Sequence, residues 1–108
     1  MYYNLRYIHI TTFNKEEARK IGRVLVEERL AACVNILNGM ESIYRWEGKI
    51  EEANEAVLIA KTNYSKVRAL TDRVKELHSY DCPCIVSLTI TEDEGNKEYL
   101  NWLLKESQ

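Results

Sequence analysis

Proline occurs once and glycine four times in 108 residues, which excludes a collagen-like repeat, a low-complexity linker or a chain dominated by irregular loops. Helix and strand joined by short turns must account for most of it. Cysteine is nearly as scarce. Three thiols cannot all pair within one chain, so no disulfide framework is expected and the thiols should be reduced. Neither sign of charge is in excess: 15 Lys and Arg stand against 17 Asp and Glu, and a net charge of −2 gives no sequence-wide pull toward nucleic acid or an anionic membrane. No run approaches the roughly 20 apolar residues that span a bilayer. The opening MYYNLRYIHI lacks the basic segment and apolar stretch of a secretory leader. These absences predict a cytosolic protein with neither nucleic acid nor a membrane as partner. Enzyme signatures are missing too. Without a phosphate-cradling glycine loop, a G-x-S-x-G elbow or an H-E-x-x-H pair, the chain is not expected to be an enzyme.

What is present is enough apolar material for one core. With 45% hydrophobic and 30% charged residues, positions 1–108 are expected to form a single ordered domain. The stretch NLRYIHITTF is rich in β-branched and aromatic residues and reads as a strand. Asn14 then has the character of a helix N-cap, with Glu17 placed to reach back as in a capping box. Ala18, Ile21, Val24 and Leu25 give the segment from Lys15 to about Arg29 one apolar face. Two β-rich arms follow. Their hairpin tip is expected at Glu47-Gly48, with Asn38-Gly39 as a kink or bulge inside one long strand. A second helix, capped by Asn63 or Ser65, carries Val67, Leu70, Val74 and Leu77 at helical spacing and must stop before Pro83. CIVSLTI is a fourth strand. Asn96 caps a last helix whose apolar set is Tyr99, Leu100, Leu103 and Leu104.

The order is β-α-β-β-α-β plus a C-terminal helix. It predicts an α+β fold of the ferredoxin-like kind, with helices on one face of an antiparallel sheet. The other face should then be polar, yet the strands are apolar on both sides: Ile8 and Ile10 oppose Leu5, Tyr7 and His9, and Val57 and Ile59 oppose Ala56, Leu58 and Ala60. Something must cover that second face, and another copy of the same sheet would do so, which predicts a homo-oligomer.

Four separated stretches, EERLAACVNI, SIYRWEGKIEE, KELHSYDCPCIVSLTI and NKEYLNWL, resemble in order and register the CutA divalent-cation-tolerance family. The resemblance implies a tight homotrimer similar in architecture to the PII signal proteins, with a cytosolic role in tolerance of divalent metal ions, copper above all. It also implies that the arms around Tyr44, Arg45, Trp46 and Lys49 run between subunits. A competing expectation is a PII-like signalling or scaffold trimer that holds a small anionic ligand or a partner's tail at its intersubunit clefts. Two positions depart from the family pattern. Where the family has Val-Pro-Glu-Ile this chain has Cys82-Pro83-Cys84-Ile85, and Thr89 stands where a second proline is common.

Residues 82 and 84, at alternate strand positions, would share a face with Cα atoms about 6.6 Å apart. That separation is near the limit for a disulfide, and the parallel Cβ vectors worsen the fit. Gripping one soft ion is easier: thiolates bind at about 2.3 Å and favour Cu(I) or Zn(II). A third ligand would come from Cys33, His78 or a neighbouring subunit, so the candidate metal set is Cys33, His78, Cys82 and Cys84. No metal is expected to be obligatory, and copper or another divalent ion is the candidate ligand. Each position also has an ordinary structural reading. The pair reads as small strand residues, Cys33 as a thiol packed beneath the first helix, and His78 as an imidazolium bonding the last carbonyls of the second helix. His9 reads as an interface histidine. Tyr44 and Trp46 share a face near the hairpin tip, suited to interface packing or to the wall of a cleft in which Arg45, Lys49 or Lys61 meets an anion.

Overall fold

The computed structural model describes residues 3–108. Its elements run β1 (Leu5–Thr12), α1 (Lys15–Glu27), β2 (Cys33–Trp46), β3 (Lys49–Asn63), α2 (Val67–Leu77), β4 (Ile85–Thr89) and α3 (Lys97–Glu106). The strands form one sheet in the order β2-β3-β1-β4, every neighbouring pair antiparallel, so β1 and β3 are central. This is the α+β, ferredoxin-like arrangement with an added C-terminal helix.

Local chemistry sets the element ends. Asn14 accepts from the Glu17 N–H at 2.9 Å, as an N-cap should, while the Glu17 carboxylate reaches one residue further back than expected, to the Phe13 N–H at 2.8 Å. Helix α1 stops at Glu27 rather than near Arg29, because Arg29 turns the chain with φ 61° and leaves the helical region. Asn63 caps a short turn over Tyr64–Lys66 that leads into α2, accepting from the Ser65 N–H. Asn96 caps α3 as expected.

Helices α1 and α2 cover one sheet face, where Ile8, Ile10, Leu58 and Ala60 pack against Ala18, Ile21, Leu25, Leu70 and Val74. Contact at α1 is close: a Cβ added at Gly22 would lie 3.0 Å from both Leu58 Cδ1 and Val34 Cγ2, so only glycine fits without displacing them. The opposite face is covered in part by the chain itself. Helix α3 packs on β3 there and buries Leu103, so Leu5 at the end of β1 and Leu103 are both inaccessible. Further along that face Leu37 is 58%, Val86 48% and Leu88 53% exposed. Within one chain β4 is therefore an open strand.

The β1 ladder on β3 ends at Thr12 opposite Ala56. Beyond it the distal halves of β2 and β3 continue alone as a two-stranded ribbon, which stretches the molecule to 44 Å against 26 and 22 Å in the other directions. The ribbon tip is the two-residue turn Glu47-Gly48, with φ 49° and 80°, both positive as a type I′ turn requires. At the ribbon base the register shifts between Leu37 and Met40, where Gly39 has φ 78°, and this is the expected bulge.

Candidate functional site

Where the ribbon leaves the sheet, it and the loop between α2 and β4 enclose an open cleft of about 520 Å³. Ser42, Tyr44 and Trp46 alternate along β2 and so present one ribbon face to it. Glu55 of β3 and Thr11 of β1 form the inner end, and Tyr80, Asp81, Cys82 and Cys84 form the loop wall. Tyr80 Oη donates to Glu55 Oε2 at 2.6 Å, a charge-assisted bond that ties loop to ribbon. Burial first, and then the Glu55 carboxylate, push the Tyr80 phenol well above the ordinary tyrosine range, so it remains a donor.

The loop is held from beneath by His78. Its side chain is fully buried, with Nε2 2.7 Å from the Thr11 carbonyl and Nδ1 accepting the Tyr80 N–H at 3.0 Å. That pair of partners defines the neutral imidazole with its proton on Nε2. The histidine therefore bonds a carbonyl of β1 rather than the last carbonyls of α2, as its helix-end position had suggested. Glu17 supports the same loop by accepting the Ser79 N–H at 2.9 Å. Burial opposes its ionisation, but hydrogen bonds from Phe13 and Ser79 outweigh that and hold the carboxyl below its ordinary value.

Of the four candidate metal ligands, two come together. Cys82 and Cys84 are free, exposed and line the cleft. They precede β4, which starts at Ile85, so they lie in the loop and not on a strand pleat; the Cys84 carbonyl joins the sheet, accepting from the Thr11 N–H at 3.1 Å. Cys33 lies elsewhere. Its strand register places it beside Lys61 and Tyr7, while Cys84 bonds Thr11. Four residues along β1 and three strands across put the two on the order of 20 Å apart. Instead of packing beneath α1, Cys33 lies 3.6 Å from Tyr99 Oη under α3. Among the described residues no cluster of three or more His, Cys, Asp and Glu side chains is disposed to hold a metal ion. The donors that do share a space are the two thiols with Asp81 and Glu55.

The cationic candidates also separate within one chain. Tyr44 and Trp46 line the cleft and Arg45 points from the other ribbon face; Lys49 pairs with Trp46 at the tip and shares its face, though neither it nor Lys61 is part of the lining. Lys61 Nζ donates to Tyr99 Oη at 3.1 Å, and that bond raises its pKa against the opposing effect of burial. Glu55, Tyr80, Asp81, Ser42 and Thr11 escaped the sequence reading as site residues. Tyr80 and Asp81 sit inside the HSYDCPCI stretch between the residues that drew attention. Glu55 looks like one more strand carboxylate until the fold sets it across from the loop.

A ferredoxin-like subunit with a projecting ribbon and an acidic, thiol-bearing cleft at its base is the class of protein that fold and site define. The sequence matches the profile of the CutA1 divalent ion tolerance protein over residues 6–106, and the chain belongs to that family. It is similar to the divalent-cation tolerance protein CutA of Thermus thermophilus, 53% identical over 94 residues that cover 87% of this chain and 89% of the relative. The human protein CutA is 44% identical over 94 residues, which span 87% of this chain but only 52% of the human one. The solved structure of the Thermus thermophilus protein superposes with a TM-score of 0.90 at 48% identity, covering 96% of this chain and 99% of that one. The CutA1 structure from Oryza sativa gives 0.91 at 40% identity, covering 98% and 95%.

Proposed function

We propose that this chain is a non-enzymatic, cytosolic homotrimer that binds divalent metal ions, copper in particular, and contributes to their tolerance. Its family membership supports the general role, since relatives are named for divalent-cation tolerance. The observation that carries the specific reading is the pair Cys82 and Cys84 facing one cleft with Asp81 and Glu55. The donor set fits a soft ion. Two thiolates can hold a low-coordinate soft ion, and any further ligand would come from a neighbouring subunit. Cys33 and His78 would join only through a neighbouring subunit, and His78 only by releasing the bonds its ring makes now. The trimer is supported by the exposed apolar side chains on the sheet face and on the ribbon. The alternative, a signalling or scaffold trimer holding a small anion, would use Arg45, Lys49 or Lys61 at clefts between subunits; within one chain none of the three lines this cleft. No helix among the described residues is long and apolar enough to cross a membrane. Native mass spectrometry of protein purified without added metal, then loaded with copper, tests the reading. A three-subunit mass that takes up copper is expected. A monomer, or a trimer that binds none, would defeat it.

A further inference from the structure

We infer that Cys82 and Cys84 close into a reversible disulfide within the chain, a redox-modified site that uses both thiols without a metal. Both are free and exposed, and a single residue, Pro83, separates them. Cα atoms two residues apart lie at most about 7 Å from each other, and most disulfides span up to about 6.8 Å, so a small contraction of the loop suffices. On a strand the parallel Cβ vectors would oppose closure. Neither residue is on one, since β4 begins at Ile85. Cys33, beside Tyr99 and on the order of 20 Å away, is out of reach and remains the odd thiol.

The hydrogen bonds of the loop decide which half of the pair can move. Cys84 is held by its carbonyl, which accepts from the Thr11 N–H at 3.1 Å, and Tyr80 is held by its bonds to His78 and Glu55. Between these anchors Asp81, Cys82 and Pro83 make no hydrogen bond among the described residues, so turning Cys82 toward its partner breaks none. Demand for partners points the same way. A metal on this pair needs a further ligand, and no group of three or more His, Cys, Asp and Glu side chains among the described residues is disposed to hold one. A disulfide is complete with two sulfurs. A low-molecular-weight disulfide such as glutathione disulfide supplies the oxidant: one cysteine thiolate attacks it and expels a glutathione thiolate, and the second cysteine attacks the mixed disulfide and expels the other. Two cysteine thiols are oxidised, one small disulfide is reduced to two thiols, and the cysteine protons pass to the expelled thiolates. Closure also takes both sulfur donors out of the cleft, a consequence for copper that rests on the function proposed above, whereas the disulfide itself does not.

The test treats the folded oligomer, free of metal, with glutathione disulfide, blocks the remaining thiols by alkylation and maps the tryptic peptide of residues 76–97, which carries both cysteines. That peptide should be found unalkylated and lighter than its dithiol form by two hydrogen atoms, and dithiothreitol should restore two alkylatable thiols. Cys84→Ser should instead keep one glutathione on Cys82, because the thiol that would expel it is gone. Cys33→Ser should close as wild type does. Thiols that react only after the protein is unfolded, being shut off by a neighbouring subunit in the assembly, would overturn the proposal. So would a wild-type chain that retains glutathione at the pair, or one that links to a second chain in a non-reducing gel.

Discussion

Tyr80 donates its hydroxyl to Glu55 at 2.6 Å, and this one bond joins the loop after α2 to the ribbon across the cleft. Tyr80→Phe leaves the carboxylate short of a donor in a partly buried position, so a loss of about 1 kcal/mol in unfolding free energy is expected at pH 7. The phenol's folded pKa is raised above its ordinary 10.0, so its contribution is fully present below that pH and lost as pH climbs through the folded value. Urea midpoints of wild type and variant should therefore differ at pH 7 and converge in strongly alkaline solution.

Glu17 works in the opposite pH direction. Its carboxylate holds two backbone N–H groups, Phe13 at 2.8 Å and Ser79 at 2.9 Å, and so links the start of α1 to the cleft loop. Burial acts to raise its pKa, the hydrogen bonds prevail, and the folded value lies below the ordinary 4.5. The stability it supplies is present above the unfolded value and disappears as pH falls through the folded one. Glu17→Gln is expected to cost about 1–2 kcal/mol at pH 7. Thermal melts should show that deficit shrinking as pH falls below the ordinary carboxylate value of 4.5.

The ribbon tip holds a residue in the wrong kind of backbone for its side chain. Glu47 has φ 49°, a left-handed conformation that asparagine tolerates far better, and Gly48 follows with φ 80°. Glu47→Asn creates the Asn-Gly pair that type I′ turns prefer and should stabilise the ribbon by roughly 0.5 kcal/mol. Amide exchange along residues 40–55 should slow in this variant and quicken in Gly48→Ala.

Periodic and turn signals made most of the fold legible. The tip at Glu47-Gly48, the bulge at Asn38-Gly39, the cap at Asn96 and the apolar faces of α1 and α2 all follow from local spacing and local backbone demands. The cleft was legible only in part. Tyr44, Trp46, Cys82 and Cys84 stand out by residue type. Glu55 and Tyr80 meet only because the sheet sets the ribbon beside the loop, and no short-range pattern encodes that. His78 illustrates the same limit. Its position at a helix end suggested a local partner, but its ring bonds Thr11, brought there by the antiparallel pairing of β1 with β4. The strand pattern assigns cover of the second sheet face to other chains, whereas α3 takes part of it, because Asn96 and the turn before it fold the last helix back over β3.

Trp46 is 54% exposed near the tip of a ribbon that has no third strand to support it. A two-stranded ribbon is marginal alone, so in the proposed trimer neighbouring subunits cover this one. Trp46→Glu would then bury an unpaired carboxylate at each contact, costing several kcal/mol per site. Light scattering at micromolar concentration should report a three-subunit mass for wild type and a smaller one for the variant. A variant that assembles normally would remove Trp46 from the interface.

The thiol pair can be tested without disturbing the assembly. Replacing Cys82 with Val and Cys84 with Glu gives the Val-Pro-Glu-Ile that the family resemblance implies at this place, so the variant is expected to fold and assemble as wild type does. If the cleft holds copper through sulfur, the variant exchanges two soft donors for one hard one, and competition against a Cu(I) chelator should show at least a tenfold loss of affinity, about 1.4 kcal/mol. Zn(II), which accepts carboxylate oxygen as well as sulfur, should lose less. Equal Cu(I) affinity in the two proteins would leave Cys82 and Cys84 as wall residues only. It would move any copper site elsewhere in the assembly, and Cys33, about 20 Å away within the chain, would become the thiol to replace next.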